Sequence, residues 1–346
     1  MKDENRQTRS YLMQLFKRHG FNPRSDLGQN FLIDINLIEF AVRAAELSRD
    51  DIVLEVGPGT GGMTTFLAAG AGKVICVEVD RNMYTLASEA TAHCDNVTLI
   101  NRDILKNKNR IAPEITDLLT SEISARPNSQ LKLVANLPYS VATPVISNLV
   151  ASDLPWQRMV CTIQLELGEK MIAEPGQSNY GALSVWLQAQ CSVRIIRRLG
   201  PKVFWPRPKV NSAIVSIWRH DGRGSRIANK PFFLDFLRRL FHQRRKLLRR
   251  VLVGMYSKQL SKARVDELLA ELGHDGEARA ENMDVLTLVK LGNRFYTAIS
   301  GEEFAEPTEA EQGSVPENEP PTVDEDESWT GADEEDDDGQ WPDDDE

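Results

Sequence analysis

The chain has 346 residues, 41% of them hydrophobic, which suits two domains, or one domain with appendages, around an ordinary packed core. Its formal charge of −10 argues at first against a nucleic-acid partner, but residues 301–346 hold 21 of the 51 Asp and Glu and none of the 41 Lys and Arg, so residues 1–300 carry +11. A body that basic either has a polyanionic partner or presents a solvated surface, and the acidic pI belongs to the tail alone.

Residues 1–6 contain no apolar stretch and no later apolar run is long enough to span a bilayer, so neither a signal peptide nor a membrane helix is expected. Cys76, Cys94, Cys161 and Cys191 follow no C-x-x-C spacing. Reduced, mostly buried thiols of a cytoplasmic protein are expected, with no disulfide framework and no metal site.

Between residues 51 and 135, short apolar runs at 52–56, 74–79, 97–100 and 131–135 alternate with helical patterns. That rhythm predicts an α/β fold with a doubly wound, parallel, Rossmann-like sheet. Further apolar runs at 159–165, 192–196 and 213–218 would complete the sheet, separated by loops such as the Pro-rich 200–208. Residues 221–225, Asp-Gly-Arg-Gly-Ser, read as a linker. Residues 232–253 then place Phe233, Phe236, Leu237, Leu240, Phe241, Leu247, Leu248 and Val251 at helical spacing, which predicts one long helix, and 265–272 and 285–299 read as two more. The expected organisation is a catalytic domain over 1–220, a small all-helical domain over 226–299 and an acidic tail over 300–346. The tail cannot bury enough apolar surface to offset its ordering entropy, so disorder is expected there.

The chemistry-bearing motifs follow the strands. Glu55-Val56-Gly57-Pro58-Gly59-Thr60-Gly61-Gly62 lies between a strand and a helix, where glycines let the backbone turn sharply and approach a ligand. The spacing also satisfies G-x-G-x-x-G, so a dinucleotide cofactor competes with others, and a plain tight turn competes with both. Pro58 removes an N–H that a pyrophosphate would want, which favours a cofactor without phosphates. Glu78, about 20 positions on with Asp80 just beyond, is placed to accept hydrogen bonds from ribose hydroxyls of either cofactor type. Asp103 follows the third strand, where an adenine amino group would donate to it.

Asn136-Leu137-Pro138-Tyr139, after the fourth strand, separates the alternatives. Adenine N6 is a poor nucleophile because its lone pair is delocalised into the ring. S-adenosylmethionine is already a strong electrophile, so what the reaction needs is acceptors that bind the amino hydrogens and localise that lone pair. The Asn136 side-chain oxygen and a backbone carbonyl at Leu137 or Pro138 supply them. Pro138 stiffens the loop and Tyr139 offers a stacking face for a base withdrawn from its own stack. Dinucleotide dehydrogenases have no use for such a tetrapeptide.

With these motifs in this order, the chain resembles the ribosomal RNA adenine N6,N6-dimethyltransferases that act near the 3′ end of small-subunit RNA. The resemblance covers about residues 20–297 and takes in Gly28-Gln29-Asn30-Phe31-Leu32, Asn179-Tyr180-Gly181-Ala182-Leu183-Ser184-Val185 and Val203-Phe204-Trp205-Pro206-Arg207-Pro208-Lys209-Val210. It implies S-adenosylmethionine contacts from Asn30, Leu32, Gly57, Gly59, Glu78, Asp103 and Asn136. It also implies that Phe204 stacks on the target adenine opposite Tyr139. Read without it, Phe204 and Trp205 among Lys202, Arg207 and Lys209 are either stacking aromatics in a basic loop or a packing plug.

Gln243-Arg244-Arg245-Lys246-Leu247-Leu248-Arg249-Arg250 resembles the family's basic helix, with Leu247 and Arg250 where Thr and Asn are usual. Ala142 and Gly168 are further departures, and the acidic tail is not typical of the family. Arg238, Arg239, Arg244, Arg245, Lys246, Arg249 and Arg250 would then track rRNA phosphates from one helix, with Asp235 the acid nearby. The implied protein is a monomer in the cytoplasm, acting on a small-subunit pre-ribosomal particle during ribosome biogenesis. The competing readings are a large-subunit rRNA adenine methyltransferase of the macrolide-resistance type, a non-catalytic ribosome-assembly or transcription factor on the same fold, and a DNA adenine methyltransferase. The helical domain and the intact tetrapeptide argue against them.

Overall fold

The computed structural model describes residues 7–274, 277–305 and 307. The expected acidic tail, apart from its first few residues, lies outside them.

Helix α1 (Arg9–His19), capped by the Thr8 hydroxyl and ended by left-handed Gly20, precedes strand β1 (Phe31–Leu32) and α2 (Ile35–Ala44). The alternating part follows as β2 (Ile52–Val56), α3 (Gly62–Gly70), β3 (Lys73–Glu78), α4 (Arg81–Ala90) and β4 (Val97–Asn101). A small hairpin, β5 (Leu105–Asn107) with β6 (Arg110–Ile111), leads into α5 (Pro113–Ala125), β7 (Leu131–Asn136), α6 (Tyr139–Ala151) and β8 (Trp156–Gln164). Then come α7 (Leu165–Ile172), α8 (Ala182–Gln188), β9 (Cys191–Leu199), β10 (Phe204–Trp205) and β11 (Ser212–Arg219). The last described elements are α9 (Asp221–Gly224), α10 (Lys230–His242), α11 (Leu248–Tyr256), α12 (Lys262–Glu271) and α13 (Val285–Ser300).

The seven-stranded sheet runs β4-β3-β2-β7-β8-β11-β9. Its β4 to β8 portion is parallel, as the alternation of strands and helices requires. The last two strands depart from the expected parallel sheet, because β11 pairs antiparallel with both β8 and β9. The connection from β9 to β11 holds no crossover helix, and without one a parallel neighbour is out of reach. Side chains alternate between two cores. Ile52, Leu54, Ile75, Val77, Leu131 and Leu133 point to one face, and Val53, Val74, Cys76 and Val134 to the other.

Two further expectations are corrected. The linker at 221–225 contains one helical turn, α9. The single helix expected over 232–253 is two helices, α10 and α11, broken between His242 and Leu248. The cause is readable: His242-Gln243-Arg244-Arg245-Lys246 offers no apolar side chain where the helical period after Phe241 demands one. Arg244 instead donates to the Tyr180 carbonyl at 2.7 Å, and Leu248 N–H to the Ala278 carbonyl, pinning the turn. The helices after residue 220 share one continuous apolar cluster with the sheet, through ring contacts such as Tyr180–Phe241 and Trp186–Phe233.

Candidate active site

The carboxyl ends of β2, β3 and β7 open into one cleft, where an open α/β sheet binds its ligand. It is lined by the glycine loop, Glu78, the 136–139 tetrapeptide and the segment that enters β1.

Two glycines there are dictated by position. Gly57 has φ +74°, and a Cβ on it would sit 3.1 Å from the Pro138 ring. Gly59 has φ +58°, and its Cβ would sit 2.8 Å from the Phe31 ring. The loop is therefore pressed against the tetrapeptide on one side and the β1 segment on the other, in a backbone conformation that side chains resist. Three of its N–H groups are spent inside the protein: Gly57 N–H on the Val77 carbonyl, Gly61 N–H on the Pro58 carbonyl and Gly59 N–H on Glu78 at 3.1 Å. Pro58 has none to give. Three engaged donors and one proline make the loop poorer in N–H groups for a pyrophosphate and suit a cofactor that carries no phosphate.

Glu78 is buried at the end of β3, and each of its oxygens accepts one backbone N–H, from Gly59 and from Asp80. A carboxylate oxygen has a second lone pair, so both retain capacity for hydroxyl donors. Burial pushes its pKa up, and the two N–H groups oppose that shift. Asp80 is occupied differently: its carboxylate caps α4 through Asn82 and Met83 N–H and accepts from the Gln29 amide at 3.0 Å.

Asn136 ends β7 with its orientation set. Its amide nitrogen donates to the Asn30 carbonyl at 2.8 Å, which leaves its side-chain oxygen as the free acceptor. Of the two candidate backbone carbonyls, that of Pro138 already accepts Val141 N–H at 3.0 Å in the first turn of α6. Leu137 donates its N–H to the Thr162 carbonyl. The Tyr139 hydroxyl meets the Ser212 hydroxyl at 2.6 Å, and burial raises the Tyr139 pKa. Asn30 and Leu32 also line the cleft.

Two expected residues stand apart. Asp103 lies beyond β4 but does not line the cleft, and its exposed carboxylate accepts Leu105 N–H at 2.8 Å. Phe204 is 1% exposed. It pairs with Leu32 between β10 and β1 and packs in the second core, while Trp205 packs on Phe16 and Phe31. The Tyr139–Phe204 sandwich is not assembled in this structure: Phe204 and Trp205 both pack into apolar clusters, as a plug would.

Sequence reasoning missed four participants. Glu55, under the glycine loop, accepts from the Thr64 hydroxyl at 2.7 Å and the Cys76 thiol at 3.3 Å, and burial lifts its pKa to about 7. Gln29 ties the β1 segment to Asp80. Ser212 anchors Tyr139. Gln7 donates to the Thr60 carbonyl at 3.0 Å and accepts from the Thr60 hydroxyl, ahead of α1. Nothing in local spacing marks Gln7 or Ser212, since their partners lie 53 and 73 positions away.

The basic face also needs correction. Arg249 is matched by Asp266 through two bonds, Arg244 by Glu281 and the Tyr180 carbonyl, and Arg239 by Asp235, the Met255 carbonyl and the Tyr256 ring. Asp235 is not the sole acid nearby, because folding brings in Asp266 and Glu281 from other segments. Among the described residues, Arg238, Arg245, Lys246 and Arg250 have no such partner. Arg238 and Arg250 line a cleft between α10 and α11 with His242.

Fold and cleft together define a Rossmann-like methyltransferase. The family described as ribosomal RNA adenine dimethylase matches residues 20–288. Ribosomal RNA small subunit methyltransferase A of Pediococcus pentosaceus is 38% identical over 281 residues, covering 81% of this chain and 92% of the relative. The protein of that name from Lachnoclostridium phytofermentans is 34% identical over 81% of this chain and 94% of its own length. The crystal structure of a Plasmodium falciparum dimethyladenosine transferase aligns with TM-score 0.64 at 24% identity, over 77% of this chain and 97% of that one. The 23S rRNA methyltransferase ErmE aligns with TM-score 0.54 at 21% identity, over 76% and 98%. These two likenesses speak to the fold. The chain belongs to the ribosomal RNA adenine dimethylase family, a family of rRNA-modifying methyltransferases, and membership implies use of S-adenosylmethionine.

Proposed function

We propose that this protein dimethylates N6 of two adjacent adenosines near the 3′ end of small-subunit rRNA, with S-adenosylmethionine held in the cleft described above. The observation that carries the reading is Asn136: its amide nitrogen is spent on Asn30, so its oxygen is available to an amino group. Support for the small subunit comes from the names of the relatives and from the helical segment after residue 220.

The cofactor supplies an activated methyl group. The protein's part is to bind, orient and polarise. Glu78 accepts the ribose hydroxyls on its remaining lone pairs. Asn30 and Leu32 flank the cofactor, and Asp103 reaches its adenine amino group if the carboxylate turns from Leu105. In the first transfer the Asn136 oxygen and the Leu137 carbonyl each accept one N6 hydrogen, which gathers the nitrogen lone pair toward the methyl; in the second, one of them accepts the single hydrogen that remains. Pro138, held against Gly57, keeps these acceptors in place. Tyr139 stacks on the base, its ring angle set by Ser212. No strong base is required. The N6 proton passes to water after transfer, because the methylated amine is far more acidic than the neutral one until it is lost. Arg238, Arg245, Lys246 and Arg250 grip rRNA phosphates; Arg239, Arg244 and Arg249 mainly hold the helices together.

The direct test is to incubate the purified protein with S-adenosylmethionine and small subunits isolated from cells lacking it. Mass spectrometry of the rRNA should show dimethyladenosine near the 3′ end. If small subunits stay unmodified while large subunits incubated in parallel gain the methyl groups, the substrate is reassigned.

A further inference from the structure

The cleft is unbalanced in charge. Two of its lining residues, Glu55 and Glu78, are carboxylic acids, and none of the described residues that line it is Lys, Arg or His. Both acids are buried, and neither forms an ion pair among the described residues. We propose that the cleft distinguishes a cationic ligand from its neutral counterpart, and that Glu55 does so by giving up a proton when the cation arrives. The inference rests on the reading that S-adenosylmethionine occupies the cleft. That molecule has one net positive charge, from its sulfonium, and S-adenosylhomocysteine, left after methyl transfer, has none.

Hydrogen bonding assigns the proton to Glu55 rather than to Glu78. Glu78 accepts two backbone N–H groups, which favour its ionised form. Glu55 has only a hydroxyl and a thiol, both on one oxygen, from Thr64 of α3 and Cys76 of β3. Cys76 stays a neutral thiol, because burial pushes it well above the ordinary range, and burial likewise raises the Tyr139 hydroxyl. Asp80 is engaged as the cap of α4. Arg24 approaches Asp80 to 3.9 Å but is half-exposed and held by Asp26 at 2.6 Å. An ionised carboxylate buried without a cation, with a second carboxylate close by, is costly. The empty cleft therefore keeps Glu55 protonated up to its raised pKa of about 7.

A cation in the cleft reverses the balance: it favours the ionised form, lowers the Glu55 pKa and expels the proton. The coupling is reciprocal, so ionised Glu55 strengthens the hold on the cation and adds little for a neutral ligand. Glu55 needs no contact for this. It ends its strand beneath the glycine loop, and charges in buried surroundings are only weakly screened. The effect acts between the Glu55 pKa with and without the cation, and it fades above about pH 8, where Glu55 is ionised in both states. Methyl transfer removes the sulfonium charge. Glu55 then regains a proton from solvent, and the product loses the attraction that held the cofactor, which favours its exchange.

The test is isothermal titration calorimetry of the full chain in two buffers of different ionisation enthalpy. The ligands are S-adenosylmethionine, S-adenosylhomocysteine and sinefungin, an analogue with an ammonium-bearing carbon in place of the sulfonium. At about pH 6.5 wild type should release about half a proton or more on binding S-adenosylmethionine or sinefungin, and clearly less on binding S-adenosylhomocysteine. Glu55→Gln, a neutral match for the protonated acid, should bind all three with almost no release. The preference of wild type for S-adenosylmethionine over S-adenosylhomocysteine should grow at least about 3-fold between about pH 5.5 and 7, and stay level in Glu55→Gln. Equal proton release for the charged and neutral ligands in wild type overturns the proposal without any variant. Release that survives in Glu55→Gln overturns the assignment to Glu55. Failure of wild type to bind any of the three would instead remove the cofactor reading itself.

Discussion

In the cleft, Asn136, Glu78 and the glycine loop each have neighbours that use up part of their bonding capacity and leave one defined face free. On the α10–α11 face the division runs between residues: Arg239, Arg244 and Arg249 are engaged inside the protein, while Arg238, Arg245, Lys246 and Arg250 have no partner among the described residues. The difference follows from what each region handles. A reacting amino group must be met within tenths of an ångström, so its acceptors are oriented from behind. A phosphate backbone is met by charge, and solvated flexible cations serve, provided the helices that carry them stay packed.

Breaking the cleft should have the largest effect. Removing a positioned acceptor at a reacting centre typically costs about 10²–10³ in rate. Asn136→Ala should lower turnover by that amount while changing cofactor affinity far less; near wild-type turnover would show that Asn136 does not hold the base.

Glu55 tests how the cleft is built. Its pKa is lifted by burial from 4.5 to about 7, so the folded state holds a proton that the unfolded state has released. That contribution is complete below about pH 4.5 and is lost as pH rises through 7, a change on the order of 3 kcal/mol. Glu55→Gln should flatten this part of the stability–pH profile, leaving the variant relatively more stable than wild type at pH 8. A profile that stays parallel to wild type would mean that Glu55 is ionised in the folded protein at all these values.

The basic face is tested by contrast within it. Neutralising Arg238, Arg250 and Lys246 together should reduce the salt slope of rRNA binding by about 0.7–0.9 per lost contact. Arg249→Gln should leave that slope nearly unchanged and lower the melting temperature slightly. Equal slopes from both variants would erase the distinction between gripping and bracing arginines.

The smallest expected effect concerns Ser212. Ser212→Ala and Tyr139→Phe should each weaken turnover a few-fold, and the double variant should be no worse than either, since both delete one hydrogen bond. Additive losses would mean that the 2.6 Å contact does not set the ring.

Much of the cleft was legible because its parts are local. The β2 and β3 strands, the glycine loop and the tetrapeptide each declare themselves within a few residues, although the order in the sheet, β3-β2-β7, is not the order along the chain. Pairings between distant segments were not legible. Spacing does not reveal that Asp266 and Glu281 reach Arg249 and Arg244, or that Ser212 meets Tyr139. Phe204 in a basic loop reads equally as a stacking ring or as a plug until β10 is seen to pair with β1. The break between α10 and α11 was visible as a gap in the apolar period at 242–246, but a run of good helix formers hid it.

The central claim is that Asn136 presents an acceptor to adenine N6 in small-subunit rRNA. The most direct measurement is mass spectrometry of that RNA from cells lacking the protein, complemented with wild type or with Asn136→Ala. The account predicts that dimethyladenosine near the 3′ end is absent without the protein, returns with wild type and does not return with the stably expressed variant. Full dimethylation in the cells lacking the protein, or restoration by Asn136→Ala, would contradict it.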